Sequence, residues 1–180
     1  MRSKPLIAVL VAAGLIAFGA IATIAASGDD PSRQQVVAER GARVMPFSLD
    51  ATRHVFEATP EGGTQRVVAR DASDARNIRL IRRHLREEAA AFSRGDFADP
   101  AAIHGDDMPG LQALRAGYQD IDVRYRKLAD GAEIAYATTK ADLAAAVRAW
   151  FDAQLRDHAG DATTGDQPAA DHTSHSGHVD

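Results

Sequence analysis

The sequence predicts an α+β domain, a two-layer sandwich in the order β-β-α, loop and short α, β-β-α, whose four-stranded antiparallel sheet carries two long helices on one face. Three observations point to it. Two pairs of short β-prone runs are each joined by a turn signal, each pair is followed by an amphipathic helical repeat, and the two units stand at matching distances along the chain, over Val55 to Leu85 and Arg124 to Ala153.

The domain is preceded by a segment of another kind. Arg2 and Lys4 come first, then 18 of the 21 residues from Leu6 to Ala26 are apolar and none is charged, and Ala20, Ala22, Ala25 and Ser27 crowd the end with small side chains. That order predicts an export signal or an N-terminal membrane anchor over residues 1–27, which enters the membrane at least transiently and delivers the rest outside the cytoplasm. The destination is then the periplasm, or the outer side of an inner membrane that holds the anchor. Residues 28–42 (GDDPSRQQVVAERGA) are polar and read as a linker. Beyond residue 27 the chain has 19 basic and 25 acidic side chains, a net −6, which excludes nucleic acid as the main partner. No cysteine is present, so disulfides, thiolate metal sites and a cysteine nucleophile are excluded.

The α+β domain is expected over residues 43–159. Val55 to Ala58 and Gln65 to Ala69 read as strands around the loop Thr59-Pro60-Glu61-Gly62-Gly63. The first long helix follows between Asp74 and Arg94, with Ile78, Ile81, Leu85, Ala89 and Phe92 three and four apart, Ser73 as cap and Gly95 as stop. Its basic run, Arg79, Arg82, Arg83 and Arg86, reads as a solvated face. Phe97 to Tyr118 is an inserted loop with a short helix from Pro109, capped by Asp107 or Met108. Ile121 to Leu128 and Glu133 to Thr138 form the second hairpin through Ala129-Asp130-Gly131. The second long helix opens on Thr139 and Asp142 in capping-box spacing, shows Leu143, Ala146, Val147, Trp150, Phe151 and Leu155, and ends at His158-Ala159-Gly160. Residues 160–180 carry four acids and no base and read as a disordered, histidine-rich tail.

Seven histidines are the chemically distinctive residues. His172, His175 and His178 recur every third position in the tail, a spacing that lets a flexible chain close imidazoles around Cu(II), Ni(II) or Zn(II). In the domain, Ile103 to Leu111 (IHGDDMPGL) offers His104 with Asp106 to a borderline cation, or His104 with Met108 to Cu(I); the competing reading is that the acids cap a helix and Met108 packs the core. His84 lies beside the apolar stripe of the first long helix. Glu87 and Glu88 follow it, without a second histidine at zinc-protease spacing. His158 stands in the last turn of the second helix, where the helix dipole favours a cation, and His54 opens the first strand. Should two of these meet His104, the result is an imidazole-rich site for a transition metal or a haem iron.

The strings Met45 to Phe56 (MPFSLDATRHVF), Ile103 to Leu111 and Trp150 to His158 (WFDAQLRDH) resemble a family of short bacterial proteins sometimes labelled aspartate carbamoyltransferase. The Ser-Thr-Arg-Thr phosphate loop and the His-Pro motif of transcarbamylases do not occur here, so the resemblance carries over no catalytic residue. The leading expectation is therefore an exported module that binds a transition metal, copper first and zinc or nickel next. A structural or protein-interaction module of the envelope is the alternative, its protein partner unspecified. An enzyme using His104 with an acidic neighbour ranks last, since no nucleophile motif accompanies it.

Overall fold

The structure is a computed structural model that describes residues 31–165. The N-terminal segment 1–27 and the tail histidines His172, His175 and His178 lie outside the described residues. Among the described residues no helix is long and apolar enough to cross a membrane.

The α+β class is as expected, and its sheet has five strands rather than four. Strands β1 (Thr52–Thr59) and β2 (Gly62–Ala69) form one antiparallel hairpin, and β3 (Asp122–Lys127) and β4 (Gly131–Ala137) form the other. β2 pairs with β4 antiparallel, and a three-residue strand β5 (Ala162–Thr164) adds to the free side of β1 in parallel, giving the order β3-β4-β2-β1-β5. The predicted domain end at residue 159 and tail start at residue 160 are therefore corrected. Too short to show a periodicity, β5 is held by backbone pairing of Ala162, Thr163 and Thr164 to His54, Val55 and Phe56.

The first hairpin turns on Pro60 and Glu61 alone, because Gly62 and Gly63 belong to the strand. Gly63 is needed where it stands. Its φ is 157°, and a Cβ there would lie 2.6 Å from the Phe151 ring and 2.5 Å from the Glu57 carbonyl.

Helices α2 (Ala75–Phe92) and α5 (Ala141–His158) cover one face of the sheet, as their apolar stripes require. The cap of α2 is Asp74 rather than Ser73: its carboxylate accepts from the Asn77 N–H at 3.0 Å. The basic run of α2 is only partly solvated. Arg82 donates to the carbonyls of Leu128, Ala129 and Gly131, closing the β3–β4 turn, and the Arg86 guanidinium stacks 5.2 Å over Tyr125. At the centre, Trp150 meets Phe92, Phe97 and Tyr136 edge-on at 5.9, 6.0 and 5.6 Å.

Three further helices complete the helical layer. α1 (Pro31–Val44) occupies most of the segment read as a linker, and it packs on α5 and on α3 (Ala98–His104). The polar composition concealed this, since the one buried apolar side chain described in α1 is Val37, 2% exposed. α3 lies in the expected loop, with Pro100 in its first turn where the missing N–H breaks no helical bond. α4 (Leu111–Gly117) begins two residues later than predicted, and its cap is Gly110 rather than Asp107 or Met108. Gly110 has φ 80°, and a Cβ there would meet the Ala146 carbonyl at 2.2 Å, so glycine permits the close approach of α4 to α5.

Candidate functional site

All four domain histidines line one internal cavity of about 30 Å³ between the sheet and the helices. Each arrives from a different element. His54 is the third residue of β1, and strand alternation points it inward with Thr52 and Phe56, leaving it 5% exposed. His84 comes from the inner side of α2, His104 ends α3, and His158 ends α5.

The rings form a chain. His54 stacks on His158 with centroids 5.2 Å apart and planes 12° apart, and His104 meets the His158 ring edge-on at 5.0 Å. Phe47 packs against both His54 and His84, at 6.3 and 5.7 Å. Burial makes the charged form of these imidazoles costly, so the His54 pKa falls to about 4, helped by the neighbouring His104 and His84, and that of His158 falls well below 6.5. Desolvation likewise lowers His84, outweighing the opposite pull of Asp99 and Glu87. The dipole-favoured cation expected at His158 is thus corrected: desolvation at this site exceeds what a helix C-terminus supplies.

His104 is fixed by a carboxylate. Its Nδ1 lies 2.7 Å from Asp157 Oδ2, and Asp157 is gripped in turn by Arg33 of α1 through Nε at 2.5 Å and Nη2 at 2.8 Å. Arg33 Nη2 also donates to the His104 carbonyl. Burial pushes the Asp157 carboxyl up, but the hydrogen bonds from His104 and Arg33 outweigh it and hold the group at about 2. An ionised acceptor places the proton on His104 Nδ1, which leaves Nε2 as the other ring nitrogen, the arrangement seen where a carboxylate orients a metal-binding imidazole.

The second centre joins α2 to α3. Ligand atoms of His84, Glu88 and Asp99 lie within 4.8 Å of one another, the one such group among the described residues. His84 and Glu88 are four apart on α2 and share a face, and Asp99 reaches them from the first turn of α3. Desolvation raises the Glu88 carboxyl to about 8, reinforced by the charge of Asp99 and a hydrogen bond to it. A tetrahedral ion with bonds near 2.1 Å sets its ligands about 3.4 Å apart, so a small inward movement of these three side chains would seat one.

The remaining sequence candidates lie elsewhere. Asp106 is exposed and paired with Arg115 at 2.7 Å, and Met108 is buried in the apolar core, so neither joins His104 at the cavity. Of the capping-and-packing alternative, the packing half describes Met108, whereas the capping half is corrected, since Gly110 caps α4 with no side-chain cap bond. Sequence reasoning weighed Glu88 only for a zinc-protease spacing and passed over Asp99, Asp157 and Arg33. The i, i+4 spacing of His84 and Glu88 was a usable signal; the partners from α1, α3 and α5 become neighbours only through the fold.

Comparison with family models, with curated proteins and with solved structures finds no match. Fold and site together define a small α+β module with a buried imidazole–carboxylate cavity.

Proposed function

We propose that this chain is an exported module that binds one divalent transition-metal ion, held by His84, Glu88 and Asp99 beside the imidazole-lined cavity. One observation carries the reading: these three side chains bring a nitrogen and two carboxylate oxygens within 4.8 Å, and two of the three face a cavity lined by every histidine of the domain. The donor set is borderline to hard, which suits Zn(II), Ni(II) or Cu(II) and disfavours Cu(I), whose thioether partner Met108 is in the core. The charged start and apolar run of residues 2–26 support export.

The test uses the full chain in detergent, with His172, His175 and His178 replaced by Ala so that the tail contributes nothing. Calorimetry with Zn(II) is expected to show one ion per chain, and Cu(II) is expected to quench the fluorescence of Trp150, the sole tryptophan, which lines the same cavity. His84→Ala should weaken both by at least about tenfold, the cost of one lost ligand contact. No heat with Zn(II) and no quenching by Cu(II) would sink the proposal.

A further inference from the structure

We propose that the cavity also holds a small oxygen- or nitrogen-donor anion of two or three non-hydrogen atoms, bound at an open position of the ion and hydrogen-bonded by Trp150 and Gln154. This rests on the cation reading above and extends it to a centre with an exchangeable ligand.

Two buried donors carry the inference. The indole Nε1 of Trp150 and the amide Nε2 of Gln154 are inaccessible to solvent and have no hydrogen-bond partner, in residues only 1% and 5% exposed. They are four apart on α5, so they share a face, and both line the cavity that His84 and Glu88 line. Native interiors leave few donors unpaired, because a buried N–H without an acceptor loses its hydration for nothing in return. Both groups donate, and the missing partner is therefore an acceptor.

The cation site needs a partner of the same kind. Three protein ligands leave a tetrahedral ion one position short, the feature that separates an exchanging centre from a closed structural one. The volume, about 30 Å³, is enough for about two water-sized groups, which bounds the ligand to the size of formate or azide and excludes larger metabolites.

The experiment titrates azide, and separately formate, into the Cu(II)-loaded full chain lacking the tail histidines, followed by visible absorption and electron paramagnetic resonance. Azide is expected to shift the Cu(II) spectrum saturably, with formate competing. Trp150→Phe, which keeps an aromatic ring in the core, and Gln154→Leu should each weaken azide about tenfold while leaving Cu(II) uptake unchanged. Cu(II) uptake with a spectrum that neither anion moves would overturn this inference alone. Equal azide affinity in wild type and both variants would also overturn it, assigning the two donors to a buried water. Failure to take up Cu(II) would overturn the cation reading and this one together.

Discussion

His104 and Asp157, 53 residues apart in the chain, meet at 2.7 Å with both side chains almost wholly buried, and Arg33 closes over the carboxylate from a third element. This contact ties α1, α3 and α5 together at the edge of the cavity. Removing the carboxylate leaves one buried ring N–H without its acceptor and takes the carboxylate counter-charge from the Arg33 guanidinium. Asp157→Ala should therefore lower unfolding free energy by about 2 to 3 kcal/mol in urea titrations, and Asp157→Asn by less, since its amide oxygen still accepts. Equal stability of Asp157→Ala and wild type would show that the contact contributes nothing.

Acid should loosen the domain through its imidazoles. His54 titrates near 4 in the folded protein and near 6.5 when unfolded, so between these values only the unfolded chain takes the proton. Stability is complete above pH 6.5 and declines as pH falls towards 4, by about 3 kcal/mol from this residue. His54→Phe should flatten that decline, read as urea midpoints at pH 4.5 and 7; an unchanged slope would contradict the neutral, buried assignment.

Glu88 works in the opposite direction. Its folded value of about 8 lies above the ordinary 4.5, so the folded state holds a proton that the unfolded chain releases. The associated stability is full below pH 4.5 and is lost as pH rises through 8. Glu88→Gln, which cannot ionise, should match wild type near pH 5 and exceed it increasingly towards pH 8.5. A constant difference across that range would show that Glu88 is ionised in the fold.

Much of the architecture was legible because it is locally encoded. Both hairpins and both long helices follow from turn residues and from the three-four spacing of Ile78, Ile81, Leu85, Ala89 and Phe92, whose burial the structure shows, apart from shifted boundaries and caps. α1 and β5 were not legible, for a common physical reason. Each is stabilised by what it packs or pairs with, Val37 against its neighbours and Ala162 against His54, rather than by its own pattern. The site divided the same way: residue type singled out His54, His84, His104 and His158, whereas Asp99, Asp157 and Arg33 acquire a role only when distant elements dock.

The helical state of α1 is directly measurable. Val37→Ala should cost about 1 to 2 kcal/mol, and backbone amides of residues 35–44 should be protected from hydrogen exchange. Exchange there at free-peptide rates would restore the linker reading.

Gly110 offers a test of packing between α4 and α5. Gly110→Ala places a methyl against the Ala146 carbonyl in a left-handed backbone, with an expected loss of about 2 kcal/mol by thermal or urea unfolding. Wild-type stability in that variant would mean that the two helices are free to separate.

The Arg33–Asp157 pair spans 124 residues, and β5 joins β1 from the far end of the chain. Contacts this distant close large loops, at a greater entropic cost than the local pairing within each hairpin and long helix. As the ribosome releases the chain in order, His54, His84 and His104 emerge well before Asp157 and His158. The cavity is therefore completed by the last helix to be made, and a polypeptide that stops short of α5 carries three of the imidazoles without Trp150, Gln154 and His158, which close its wall.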